Sequence, residues 1–508
     1  MLTSELKKTF IKNENRLAIK DDKMEVTYSR LSDLVEKIKN YLLTKENIKV
    51  IGLYMNKNVY SIATILACLF AGKVFLILDP FQEDLINISK AKKSEVDYII
   101  TAKKNHMTAE VFLNSNLVKG VEDIENITSG KYEEKEVLLH GDDASYHIYT
   151  SGSTFSPKCV VQNSDAIMYY ANAYINEIGL NEEDRVAFVA SMSHDAMIID
   201  VFSTLLSGAC LCLFNEKDSL NLLKVSSWIE KNNITIWHSV PTIFREAFKN
   251  YNKIKNSNCI RRVVLGGEIV RVGDYSIFEK ISCADSKMYN LYGQTEASYS
   301  MGRFILCPND CKEIGVPIKG TSIIIKDGNQ VRVIERGNNE AKLEKDLDLS
   351  LKEQLVDAEI VVKSRFVSDE YLNVKTIPFY TDSEGYKYYK TGDYVKINGD
   401  CIEYMGRLDN QCKINGNRVE LEEVERGILH NKKIHSCVVV PMEKHGKTKL
   451  VACLKSDCHI TITDINEELK SMFPRYIKIF KIINMDCLPK TTSGKVNRPE
   501  IKRLLETQ

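Results

Sequence analysis

The feature that most constrains this chain is a change of hydrophobic period that repeats along it. Residues 31–42 carry apolar side chains three and four apart and read as an amphipathic helix. Residues 50–54 form a short apolar run, 62–71 return to a helical pattern, and 74–78 form a second short run. Further strand-like runs lie at 186–190, 209–214, 234–237 and 263–265. Strands buried on both faces lose their polar alternation, and strand–helix–strand order places successive strands parallel. The fold class is therefore α/β, with a large N-terminal part built of parallel sheets flanked by helices.

The pattern changes beyond Gly320. Residues 321–334 read as a hairpin turning at Asp327-Gly328. Residues 336–353 are charge-rich and read as a solvated loop. A β-rich stretch follows at 358–362 and 388–405, and a shorter α/β pattern runs from Cys412 onward. A chain of 508 residues exceeds one ordinary core. We expect an N-terminal domain over 1–408 and a small α/β domain over 409–508.

Composition narrows the function. Lys+Arg and Asp+Glu both total 69, so no global field draws in nucleic acid or anionic lipid. The most apolar stretch, 59–78, is interrupted by Gly72 and Lys73 and reads as a buried helix followed by a buried strand, not a membrane span. The N-terminus has no apolar run of a signal peptide. Fourteen cysteines lie without framework spacing, and the close pairs Cys210–Cys212 and Cys307–Cys311 have no His neighbours to complete a metal site. Reduced thiols in a cytoplasmic protein are the expectation.

Tyr149-Thr-Ser-Gly-Ser-Thr-Phe-Ser-Pro-Lys-Cys159 is the most informative local stretch. Small hydroxyl residues around a glycine let backbone N–H groups approach phosphate oxygens, and a lysine adds compensating charge. It is not a Walker loop, since no second glycine precedes Lys158. Alone, such a cluster reads as an ordinary surface loop. Four further segments follow in order: Asn290-Leu-Tyr-Gly-Gln-Thr-Glu296, Tyr389-Lys-Thr-Gly-Asp393, a stretch from Gly406-Arg-Leu-Asp409 to Glu420, and Pro489-Lys-Thr-Thr-Ser-Gly-Lys495.

At these residues the chain resembles the acyl-adenylate-forming enzymes: acyl-CoA synthetases, luciferases and the adenylation domains of nonribosomal peptide synthetases. The resemblance runs from Val26-Thr-Tyr-Ser-Arg-Leu31 to Lys495 and is strongest toward a stand-alone amino-acid adenylation domain. It implies that Thr150, Ser151, Gly152, Ser153, Thr154 and Lys158 cradle the β- and γ-phosphates of ATP. It places Tyr292 on the adenine with Gly267, Asn290 and Gly293 nearby, Thr295 on the α-phosphate, Asp393 on both ribose hydroxyls and Arg407 against ribose and phosphates. Glu296 would bind Mg²⁺, a hard cation suited to carboxylate and phosphate oxygens. Lys495, on a small mobile C-terminal domain, would bridge the substrate carboxylate and the phosphate as charge redistributes. A carboxylate attacking a polyphosphate is anion meeting anion, so positioning and cations do the work and no nucleophilic side chain is needed. Asp409 matches the hinge about which that domain turns, and Lys413 and Gly416 would then face the acyl-transfer tunnel.

Ala190-Ser-Met-Ser-His-Asp-Ala-Met-Ile-Ile-Asp-Val-Phe202 resembles the peptide-synthetase segment in which an Asp binds the substrate's α-ammonium, and Asp195 falls on that Asp. An Asp beside an apolar helix suits a cationic ligand; it also suits a helix N-cap. The resemblance lines the side-chain pocket with Ala196, Ile199, His238, Val264, Gly266, Leu291, Tyr299 and Ser300. Phe155 and Cys159 stand where the family usually has glycine, implying a stiffer phosphate loop. The function implied is activation of an amino acid with ATP and Mg²⁺, then transfer to the phosphopantetheine thiol of a separate carrier protein. An acyl- or aryl-CoA ligase and a non-catalytic nucleotide-binding protein are the competing readings.

Overall fold

A computed structural model describes the chain except for residues 141–142, 151–157, 215–224, 250–259, 329, 344–354, 369–370, 373–378, 399–400, 408–410, 445–446, 457, 471, 486–487, 490–497 and 507–508. It divides into two compact units. One comprises Met1–Pro80, Lys90–Tyr149 and Cys159–Gly406; the other comprises Phe81–Ser89, Thr150–Lys158 and Arg407–Gln508.

The first unit holds the two sheets that the alternating pattern predicts. One runs in the order Gly120–Asp123, Tyr98–Thr101, Val50–Tyr54, Val74–Ile77, Ala144–Thr150 and Lys158–Asn163. Its central pairs are parallel. The helix Val59–Phe70 connects two of these strands, and every residue in it but Tyr60 is buried. It starts with a capping box. Asn58 Oδ1 accepts from the Ser61 N–H at 2.9 Å, and Ser61 Oγ accepts from the Asn58 N–H at 3.0 Å. Two backbone donors are thereby satisfied at the start of the helix.

The second sheet runs Val316–Pro317, Ala297–Ile305, Lys287–Gln294, Arg262–Gly266, Ile236–Ser239, Arg185–Phe188, Cys210–Leu213, Leu17–Lys20 and Glu25–Thr27. From Lys287–Gln294 to Leu17–Lys20 all pairings are parallel. Register sets Phe188, His238, Val264 and Tyr289 side by side across four strands. Paired residues of adjacent strands share a face, so these four sit at one level of the sheet.

A third sheet is antiparallel: Asn338–Leu343, Gln330–Glu335, Ser322–Asp327, Glu359–Ser364, Lys387–Asn398 and Phe379–Thr381, with Cys401–Arg407 joined to Lys387–Asn398. The expected hairpin is present. The expected loop over 336–353 is in part a strand, because Asn338–Leu343 pairs along the whole of Gln330–Glu335. Charged residues are common on edge strands, where they discourage further pairing, so polarity there did not mean loop. One cysteine also departs from expectation. Cys283 is disulfide-bonded, against the expectation of reduced thiols throughout. Spacing along a chain does not report which thiols meet in space.

In the second unit, Gln411–Ile414 and Asn417–Glu420 form a hairpin. Its turn is Asn415-Gly416, with φ of 51° and 80°. Both central residues are left-handed, the geometry for which Asn-Gly is favoured. Ile434–Lys444, Lys447–Ser456 and Ile479–Asn484 make a three-stranded sheet flanked by Leu421–Leu429, Ile462–Lys470 and Arg498–Glu506.

Candidate active site

The first unit gathers most of the predicted site residues near the carboxyl ends of the parallel strands in the second sheet, the region where open α/β sheets bind ligands. The strand Lys287–Gln294 carries Asn290, Leu291, Tyr292 and Gly293 and turns back through Thr295 and Glu296 into Ala297–Ile305. The register slips between Tyr292 and Gln294. A Cβ on Gly293 would lie 2.3 Å from the Ser298 carbonyl oxygen, so only glycine lets the two strands close this tightly. That bulge fixes where Thr295 and Glu296 emerge.

Asp393 sits in the strand Lys387–Asn398 and is 2% exposed. Its Oδ2 accepts from the Tyr292 hydroxyl at 2.7 Å and from Gln294 Nε2 at 3.0 Å, and its Oδ1 accepts from the Tyr404 hydroxyl at 3.3 Å. Burying a carboxylate without such donors is costly. Glu296 is fully buried, and its Oε1 accepts from the Tyr371 hydroxyl at 2.5 Å. Asn290 is held in the sheet, donating to the Glu313 carbonyl at 2.8 Å.

Asp195 stands at the N-cap position of the helix Ala196–Ser207, yet its side chain caps nothing. The Thr295 hydroxyl instead donates to its Oδ2 at 2.8 Å. The capping alternative is therefore not what this carboxylate does. The sheet positions His238, Val264, Gly266 and Leu291 on adjacent strands, Gly266 opposite Leu291. Ile199, Val264, Leu291 and Tyr299 pack in one buried cluster with Tyr174 and Tyr289. Ser300 is buried and donates to the Ala297 carbonyl at 3.1 Å. The Tyr299 and Tyr289 hydroxyls meet at 2.5 Å. His238 Nδ1 lies 2.6 Å from Asp200 Oδ1, both buried. Burial alone would lower the imidazole's pKa; the Asp200 charge and hydrogen bond, with Asp195's charge, raise it above the ordinary value. Burial raises the Asp200 carboxyl, and His238 counters in part.

Other predicted residues fall outside the described residues or in the second unit. Ser151, Gly152, Ser153, Thr154, Phe155, Asp409 and Lys495 lie outside the described residues. Thr150 ends the strand Ala144–Thr150, and Lys158 opens Lys158–Asn163. Cys159, in the latter strand, is buried and its Sγ lies 3.7 Å from Ser94 Oγ. Arg407 ends the strand Cys401–Arg407; Lys413 is in the hairpin of the second unit, and Gly416 is in its turn. Sequence reading missed Gln294, Tyr371, Tyr404 and Asp200. Gln294 and Asp200 lie inside quoted segments and were open to notice; Tyr371 and Tyr404 carry no local signal.

A family described as AMP-binding enzyme matches residues 6–341. The chain is 26% identical over 485 residues to a D-alanine--D-alanyl carrier protein ligase from Listeria monocytogenes, covering 91% of this chain and 90% of that one. It is 25% identical over 498 residues to bacitracin synthase 2 from Bacillus licheniformis, covering 96% of this chain but only 18% of that protein's length. A Vibrio cholerae adenylation domain solved with glycyl-adenosine-5'-phosphate superposes with a TM-score of 0.81 at 18% identity, over 100% of this chain and 98% of that one.

Proposed function

Since the chain belongs to the AMP-binding enzyme family, we propose that this ligase activates a free amino acid and hands it to a carrier protein. In this reading a substrate carboxylate oxygen attacks the α-phosphorus of ATP. A carbon–oxygen–phosphorus anhydride forms, the bond to the β-phosphate oxygen breaks, and pyrophosphate leaves. A phosphopantetheine thiol on a separate carrier protein then displaces AMP as a thioester forms. The observation that carries the amino-acid assignment is Asp195. It is a half-buried carboxylate that declines the helix cap and is held by Thr295, one residue from Glu296. An α-ammonium is the partner such a carboxylate suits.

Residues of this chain take the following parts. Asp393, steadied by Tyr292, Gln294 and Tyr404, accepts from the ribose hydroxyls as a charged acceptor. Thr295 orients Asp195 and, in this reading, hydrogen-bonds the α-phosphate at which the anhydride forms. The loop of Thr150, Ser151, Gly152, Ser153, Thr154 and Lys158 takes the outer phosphates, and Lys495 supplies neutralising charge. Glu296 suits Mg²⁺: its carboxylate is a hard oxygen donor in a buried setting, oriented by Tyr371. A bound Mg²⁺ would withdraw charge from the phosphate oxygens. The domain 409–508 acts in this reading as a lid turning at Asp409, which presents Lys413 and Gly416 for the thiol step.

The test is ATP–pyrophosphate exchange with purified protein and a panel of amino acids and simple acids. Exchange driven by one or a few amino acids supports the reading. Exchange driven only by simple acids replaces it with an acyl- or aryl-CoA ligase. Nucleotide binding without exchange by any acid replaces it with a non-catalytic protein.

A further inference from the structure

The wall around His238 contains more polar capacity than the protein uses. Asp200, on the helix Ala196–Ser207, is fully buried; its Oδ1 is spent on His238, while its Oδ2 has no hydrogen-bond partner among the described residues. The Tyr174 hydroxyl, also buried, has none either. The Tyr174 ring lies 5.8 Å from His238 and 6.5 Å from Tyr299, centroid to centroid. Asp200 is the leading charge acting on Tyr174, so the two groups are neighbours. With Nδ1 committed, His238 offers only Nε2, which no hydrogen bond engages among the described residues. The Tyr299 hydroxyl is held against that of Tyr289.

Buried polar groups left unmet are costly and uncommon, and an apolar wall would be simpler to build. The arrangement makes sense when a ligand completes it. That ligand is neutral, because the Asp200 carboxylate already faces His238 and the Lys57 charge, and a further charge would be buried unpaired. It both donates and accepts, because Asp200 Oδ2 accepts while the Tyr174 hydroxyl donates. It is short, because Ile199, Leu291 and the fixed Tyr299 bound the same cluster. We propose that Asp200, acting with His238 and Tyr174, is a specificity-determining residue that selects amino acids with a short hydroxyl-bearing side chain. The proposal rests on the amino-acid-activating function above and names its substrate class.

The experiment is ATP–pyrophosphate exchange with two isosteric pairs, threonine against valine and serine against 2-aminobutyrate. The wild type should favour the hydroxyl member of each pair in kcat/KM by about 10- to 100-fold, the range expected when an isostere leaves one buried partner unmet. In Asp200→Asn that ratio should fall toward one. A variant that merely weakened the fold would lower both members together and leave the ratio standing. Should Asp200→Asn fail to fold, Tyr174→Phe removes one unpartnered hydroxyl and should cut the ratio roughly 5-fold. A wild-type ratio at or below one overturns the proposal, as does a ratio unmoved in both variants. Those results leave amino-acid activation intact. Exchange with no amino acid at all overturns that function, and this proposal with it.

Discussion

Asp393 allows a structural part to be separated from a nucleotide-binding part by two substitutions. Asp393→Ala strands the Tyr292 hydroxyl and the Gln294 amide, donors that now reach Oδ2 at 2.7 and 3.0 Å in a buried setting. Two orphaned buried donors cost about 2–6 kcal/mol together. Asp393→Asn keeps an oxygen and the shape and loses the charge. The ribose hydroxyls would then meet one neutral acceptor and an amide that only donates, a loss of about 1 kcal/mol per bond, or about 2 kcal/mol in all. That corresponds to roughly 30-fold weaker nucleotide binding. Thermal unfolding and AMP titration by calorimetry read the two effects on the same samples. The expected pattern is a melting temperature lowered by several degrees in the alanine variant and a selective affinity loss in the asparagine variant. If Asp393→Asn binds AMP within about 3-fold of wild type while Asp393→Ala unfolds early, the carboxylate is only a packing hub and the ribose role is wrong.

Further outcomes follow from other sites. Asp195→Ala should reduce amino-acid-dependent exchange by about 10- to 100-fold, through loss of a charge-assisted bond to the ammonium, and spare any simple acid the enzyme accepts. Tyr371→Phe removes the hydroxyl donated to Glu296 and should raise the Mg²⁺ concentration giving half-maximal exchange several-fold; an unchanged Mg²⁺ titration would discount that support. Arg245 holds the fully buried Asp274 through two bonds of 2.6 and 3.0 Å, so Arg245→Ala should cost about 3–5 kcal/mol in urea unfolding. His147 is buried beside the parallel strand Val74–Ile77, and burial, with the Lys49 charge, pushes its pKa down to about 4 from 6.5. The native state favours the neutral ring, so this stability is complete above pH 6.5 and drains as pH falls toward 4, by about 3 kcal/mol. A His147→Gln variant should flatten that slope, measured by denaturant unfolding across pH 4–7.

The alternating periods made the parallel sheets legible because burial on both faces leaves a clear mark on composition. The strands at 50–54 and 74–78 and the helix between them came within a few residues of their observed bounds. Asn338–Leu343 did not, because an edge strand is solvated on one side and its charges look like those of a loop. The site divides the same way. Thr295, Glu296 and Asp393 lie in the compact motifs that carry the family resemblance, so they could be named before the fold was known. Tyr371 reaches Glu296 across 75 residues, a relation that only folding creates. The resemblance put His238 in a mixed pocket wall, but its bond to Asp200 depends on a helix packing over a strand 38 residues away.

The level line through Phe188, His238, Val264 and Tyr289 has an evolutionary corollary. Each strand contributes a single tooth to a comb whose spine is main-chain hydrogen bonding, and side-chain swaps leave the spine alone. Under the function proposed above, selectivity for a new acid would drift tooth by tooth while the nucleotide machinery stays in place. A laboratory library confined to those teeth and to the helix facing them would explore diet while sparing chemistry.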